Sequence, residues 1–166
     1  MTDLSMLHPA VRGADERHDL TVSTLECEPD LADTAAFCSH YGFALEQAAN
    51  TILVASKKSD PARYAVCVVL GTTKLDVNRK VAELIATKKL SFADADTTIE
   101  VTGMLIGGVT AIGIEAQPVY IDSAVMEQAQ VVMGGGNRSS KLLLAPAELL
   151  KLPNAQIVDG LAKPSA

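Results

Sequence analysis

The sequence predicts an α/β protein of the α+β type: a mixed, mostly antiparallel, partly rolled sheet surrounded by short helices. Three observations carry that prediction. Apolar β-branched runs outnumber helical ones, each helical stretch is short, and the two alternate without the strand–helix–strand rhythm of an all-parallel sheet. The 166 residues suffice for a real core. They read as one domain, 1–166, frayed at both termini, because no repeat, low-complexity stretch or linker divides them.

Residues 8–17 read as a short helix with Pro9 in its first turn, and residues 20–26 alternate as a half-buried strand does until Pro29. From Asp30, Leu31, Ala35, Ala36, Cys38 and Tyr41 recur at helical spacing, and Gly42 supplies the stop. Residues 44–49 add a helical turn. The runs 51–56 and 64–70 form a hairpin across Lys57-Lys58-Ser59-Asp60-Pro61, with 66–70 continuous enough for a central strand. Residues 76–87 predict an amphipathic helix with Val77, Val81, Leu84 and Ile85 inward. A second short helix is expected over 91–96, capped by Ser91 with Asp94 three residues on. Strands follow at 118–121, 130–133 and 141–144. Asp122 is placed to cap a short helix over 123–127, Pro146 opens another over 147–150, and the tail from Lys163 frays.

Composition narrows the function. With 48% hydrophobic residues, 4% aromatic and no tryptophan, the core must be built from Val, Ile, Leu and Ala. A net charge of −6 argues against gripping nucleic acid by bulk charge, though a local basic face remains open. Cys27, Cys38 and Cys67 are scattered, which fits reduced thiols in a cytoplasmic protein. His8, His18 and His40 show no metal-ligand spacing, so no metal is expected. Residues 1–19 lack the apolar core of a signal peptide, and the run 101–114 is too short and glycine-rich to span a membrane.

Two glycine clusters stand out. The first lies in Thr102-Gly103-Met104-Leu105-Ile106-Gly107-Gly108-Val109-Thr110-Ala111-Ile112-Gly113, the second in Gly134-Gly135-Gly136-Asn137-Arg138. Glycine in an apolar run marks unusual dihedrals or close contact with something. The contact is either a ligand reading main-chain amides or a tight turn between buried strands. Lys74, Arg79, Lys80, Lys88 and Lys89, against Asp76 and Glu83, make a basic segment that Arg138 and Lys141 could join in space. It reads as a phosphate-contacting face or as a solvated helix face. No Walker loop, G-x-G-x-x-G, H-E-x-x-H or G-x-S-x-G is present. Ser139-Ser140-Lys141 reads as a loop ahead of a strand rather than a Ser–Lys nucleophile pair, and Cys38 as core packing.

These segments together resemble the YbaK-type aminoacyl-tRNA deacylases, which include the editing domain associated with prolyl-tRNA synthetase. The resemblance rests on Asn50-Thr51-Ile52-Leu53-Val54, Leu75-Asp76-Val77, Thr102-Gly103, Gly107 to Gly113, Ile121-Asp122 and Gly134 to Arg138, and spans residues 20–159. It implies hydrolysis of the ester joining a wrong amino acid to the 3′ terminal adenosine of mischarged tRNA, acting in trans, without cofactor, metal or membrane. The alternative is a non-catalytic module binding aminoacyl-adenosine, tRNA or nucleotide. The implied carbonyl-binding loop is Gly107, Gly108, Val109, Thr110 and Ala111, with Asn50 beside it. Substrate contacts are expected from Thr51, Gly135, Gly136, Arg138, Lys74, Arg79 and Lys80. The chain departs from the family pattern twice. Asn50 stands where many members carry lysine, and Ala111 replaces the proline of G-G-V-x-P-x-G. Asparagine offers no cation to a phosphate. The substrate amino acid, the tRNA and the oligomeric state are left open.

Overall fold

The computed structural model describes residues 2–56 and 61–165. Among them the order is α1 (Pro9–His18), β1 (Ser23–Glu26), α2 (Thr34–Tyr41), β2 (Ala49–Ser56), β3 (Tyr64–Leu70), β4 (Thr73–Leu75), α3 (Ala82–Leu84), β5 (Leu90–Phe92), α4 (Ala95–Thr102), β6 (Val119–Asp122), β7 (Val131–Gly134), β8 (Ser140–Leu144), β9 (Ala155–Val158) and β10 (Ala162–Pro164). The largest sheet runs β5-β2-β3-β6-β9. It is antiparallel from β5 to β3 and parallel from β3 to β9. A second, antiparallel sheet runs β1-β8-β7, and β10 pairs with β4. This is the mixed, mostly antiparallel α/β architecture expected.

The apolar run of β3 is central because it is buried on both faces. Val66, Val68 and Leu70 enter one hydrophobic cluster, while Ala65, Cys67 and Val69 enter another. Period-two alternation thus builds two cores from one strand. The first cluster fills the space between the two larger sheets with Met133, Leu142 and Leu144. The second lies under β4 and α3, through Leu75 and Val81. A third, around Phe37, Cys38 and Val132, ties α2 to β7.

Several expected boundaries move. Helix α1 ends at Asp19, which takes a left-handed φ of 52°, so the following strand begins only at Ser23. Residues 44–49 give a 3-10 turn at Leu45–Gln47, and Ala49 already belongs to β2. The expected helix 76–87 is a π-turn, Val77–Val81, leading into α3. There the Asp76 carbonyl accepts from both Lys80 N and Val81 N, widening the turn and dropping Val81 into the core. The helix expected over 91–96 is corrected outright. Leu90–Phe92 is a strand paired with Val54–Ser56, and α4 starts after Asp94, whose carboxylate accepts from Thr97 N at 2.8 Å. Asp122 sits before the 3-10 turn Ser123–Glu127 without making the side-chain cap bond of a helix start. The tail does not fray at Lys163, since β10 pairs with β4 and Ser165 N donates to Thr72 O at 3.0 Å. Hairpin-loop residues Lys57 to Asp60 lie outside the described residues.

Candidate active site

The two glycine clusters meet each other. Gly136 N donates to Gly108 O at 2.7 Å. A Cβ placed on Gly108 would lie 2.0 Å from Asn137 O, and one on Gly134 would lie 2.4 Å from Gly108 O. Both are backbone obstacles that cannot step aside, so two main chains touch because neither carries a side chain there. His8 closes the arrangement from α1. Its Nδ1 accepts from Ala10 N, leaving Nε2 to donate to Gly103 O at 3.0 Å, while its own amide donates to Gly135 O.

This interlocked seam forms one wall of a cavity of about 380 Å³. The cavity lies beside β2 because β5 stops short, pairing only with Val54–Ser56. Leu53 O accepts from Ala93 N, so odd-numbered residues of β2 turn their main-chain groups toward this side. At Thr51 no strand among the described residues stands opposite them, which leaves a stretch of sheet edge within the cavity. Helix α2 supplies Thr34, Phe37 and Cys38, and β7 and β8 supply Met133, Gly134 and Lys141. Phe92 and Ile106, 56% and 46% exposed, form an apolar rim.

The polar groups are arranged in pairs. Thr34 Oγ1 donates to Asn50 Oδ1 at 2.5 Å, which leaves the Asn50 Nδ2 amide as the donor for a ligand. Thr51 Oγ1 accepts from Ala111 N at 3.1 Å, so that loop amide is committed within the protein. Arg138 binds three segments at once. It donates to Pro29 O from Nε and Nη2, and from Nη1 to Ile106 O at 2.8 Å and Asp33 Oδ1 at 3.1 Å. Lys141 Nζ donates to Ala32 O at 2.6 Å and Gly107 O at 2.9 Å, with the Phe37 ring 5.3 Å away. Burial pushes the Lys141 ammonium below its ordinary range, and pushes the Cys38 and Cys27 thiols up despite the nearby lysine. Cys67, buried in β3, is pushed up to about 12. None of these thiols is an activated thiolate.

The sequence-predicted residues therefore separate into groups. Asn50, Thr51, Gly107 and Val109 line the cavity. Gly108, Thr110 and Ala111 stand behind them, with Thr110 and Ala111 buried. Gly135, Gly136 and Arg138 brace the wall from outside. Lys74, Arg79 and Lys80 are elsewhere, on the β4–α3 segment over the second cluster, where Arg79 Nε reaches Asp76 at 3.2 Å. Lys141, Thr34, Phe92 and Thr98 line the cavity without having been assigned to it. For Lys141 a signal existed: a single charge inside the apolar strand Ser140–Leu144. Among the described residues no group of three or more His, Cys, Asp or Glu could hold a metal, and no helix is long and apolar enough to cross a membrane.

Comparison with known proteins identifies the family and the fold. A family model described as the aminoacyl-tRNA editing domain matches residues 28–152. A curated relative from Enterococcus faecalis, named "Putative Cys-tRNA(Pro)/Cys-tRNA(Cys) deacylase EbsC", is 27% identical over 110 residues. That match covers 66% of this chain and 65% of the relative, so the chain spans somewhat under two thirds of the relative's length. A solved structure described as "a putative trans-editing enzyme for prolyl tRNA synthetase" superposes with a TM-score of 0.78 at 25% identity, covering 96% of this chain and 99% of that one. Another, of a hypothetical protein, gives 0.81 at 21% identity over 93% and 99%, a likeness of fold alone.

Proposed function

The chain belongs to the aminoacyl-tRNA editing domain family, and we propose that it hydrolyses the ester of mischarged tRNA in trans, as a cytoplasmic quality-control deacylase. The observation that carries this reading is the cavity between the interlocked glycine loops and the open edge of β2. It offers hydrogen-bonding groups from Asn50, Thr51 and Lys141 around a partly open space, with an apolar rim at its mouth. In the proposed complex the terminal adenine stacks on Phe92 and Ile106, a contact worth about 1–3 kcal/mol for an aromatic platform. The ribose lies against Asn50 and Thr51, and the acyl carbonyl faces the loop at Gly107 and Val109. Ester hydrolysis develops charge on that carbonyl oxygen, and donors fixed in advance stabilise it without reorganising. The free hydroxyl of the terminal ribose, or a water it orients, stands in for a protein nucleophile, consistent with thiols held protonated by burial.

A second reading is a module that binds aminoacyl-adenosine without cleaving it. It draws on the loop amides already committed within the protein: Ala111 N to Thr51, and Gly108 N to Leu105 O. The two readings part on one experiment. The chain is incubated with a panel of mischarged tRNAs, and loss of aminoacyl ester is followed against the buffer rate. Acceleration for at least one pair supports the deacylase. Tight binding of a non-hydrolysable 3′-aminoacylamido-adenosine, with no acceleration for any pair, replaces it by the binding module.

A further inference from the structure

Lys141 is a buried titratable group that lines the cavity and for which the chemistry above has no use. It is 6% exposed and lies in a strand whose neighbours Leu142 and Leu144 are buried in the core. Placing an ammonium there is costly, since an ion taken out of water without a counter-charge is far harder to bury than a methionine of similar length. No carboxylate lies within ion-pair distance of it among the described residues, and the nearby Asp33 is held by Arg138 at 3.1 Å. Its recorded acceptors are two carbonyls, Ala32 O and Gly107 O, and an ammonium has three N–H donors. One donor remains on a side chain that lines the cavity, one residue from the Ile106 rim through its Gly107 contact.

The second observation is Asn50. It is a neutral amide on β2, and Asn50 and Lys141 line the same cavity from different sheets. Among the lining residues the cation comes from β8, while β2 contributes only neutral groups.

We infer that Lys141 is a catalytic residue: its ammonium donates the remaining N–H to the ester carbonyl oxygen and holds that oxygen's negative charge in the tetrahedral intermediate. The inference rests on the deacylase reading. Water adds to the carbonyl carbon, and the C=O π pair moves onto the oxygen beside Nζ. When the intermediate collapses the pair returns, the bond to the ribose oxygen breaks, and that oxygen takes the proton the water released. Ester and water give a free amino acid and a free terminal hydroxyl. Lys141 keeps its protons throughout, and Ala32 O, Gly107 O and the Phe37 ring all favour the charged form.

The groups facing Lys141 set its pH response. Burial lowers its pKa, Arg138 on the loop before β8 acts in the same direction, and Cys27 just after β1, Cys38 from α2 and Asp33 before α2 oppose it. The ammonium is therefore lost below the ordinary lysine range, and enzymatic turnover should fall there, after subtraction of the rising uncatalysed rate.

The test uses a mischarged tRNA that the wild-type chain deacylates, in single-turnover and steady-state assays from neutral to alkaline pH. Lys141→Met should lower kcat about a hundredfold or more, the loss typical for removal of one oxyanion donor, with KM moved far less. The alkaline fall should vanish from its residual activity. If Lys141 only ties Ala32 to Gly107, the variant instead raises KM and keeps the wild-type pH profile, and the inference is overturned. Should the variant fail to fold, the wild-type chain labelled at its lysine side chains is titrated with 3′-aminoacylamido-adenosine. A shifted Lys141 signal with a raised pKa supports the contact, and an unmoved one sinks it. Failure of the wider reading looks different, since the wild-type chain would then hydrolyse no member of the panel.

Discussion

Two groups of cations in the molecule contrast with each other. Around the cavity, Arg138 and Lys141 are partly or wholly buried and bonded to the carbonyls of Pro29, Ala32, Ile106 and Gly107. On the β4–α3 segment, Lys74 and Arg79 are exposed, and Asp76 gathers Arg79 at 3.2 Å and Lys163 at 3.6 Å. The first set holds backbone segments in register where desolvation makes each bond consequential. The second is screened by water, and its ion pairs contribute little to stability. Position, not abundance, decides which cations matter, and the following substitutions probe that contrast.

Gly108→Val should have the largest effect. A Cβ there meets the Asn137 backbone at 2.0 Å, so the two glycine loops must separate. The overpacking cost is about 1–3 kcal/mol at least, and the cavity wall moves with it. Thermal unfolding should show a clear drop in Tm alongside lost deacylation. A variant as stable as the wild type would mean that the seam tolerates opening and that the loops do not hold the wall.

Arg138→Lys comes next. Lysine keeps the charge but cannot bond Pro29, Ile106 and Asp33 together, because the guanidinium fork is lost. With charged hydrogen bonds contributing about 1.5–3 kcal/mol each, kcat/KM should fall roughly tenfold or more, with a modest loss of stability. An Arg138→Lys chain with unaltered kinetics would show that the 29–33 segment needs no such tie. Asn50→Ala should be milder. Loss of the Nδ2 donor and of the Thr34 bond should lower turnover about tenfold, equivalent to about 1.4 kcal/mol. Unchanged turnover with intact folding would remove Asn50 from the site.

How far the sequence speaks for the fold depends on element length. The run Tyr64–Leu70 announces itself because seven apolar residues outlast any turn, and the alternation in its burial follows. Strands β4, β5 and β10 have three residues each, too few for a period, and only their partners define them. Ser91 and Asp94 both carry cap-forming side chains. Leu90 and Phe92 decide between them by pairing with β2, a contact no local rule contains. In the site, the glycines point to close approach, but the thing approached is another glycine loop more than twenty residues away. Lys141 is legible only as an anomaly, a charge where the strand asks for a hydrophobe. Its two carbonyl partners come from segments distant in sequence, and no spacing reveals them.

The smallest effects should come from the exposed segment. Lys74, Arg79 and Lys80 line no part of the cavity, and Arg79 shares Asp76 with Lys163. Two outcomes separate their roles. If they meet the tRNA backbone beyond its terminal adenosine, each neutralised phosphate releases counterions, and removing one contact lowers the salt slope of log K by about one. Replacing all three by alanine should then raise KM for intact tRNA severalfold. It should leave kcat unchanged, and leave hydrolysis of a short aminoacyl-adenosine substrate untouched, because that substrate ends at the cavity. If they are only a solvated face, the triple variant is indistinguishable from the wild type on both substrates at every ionic strength. In either case the cavity's own cations stay in place, so a fall in kcat on the short substrate would contradict the separation of the two regions.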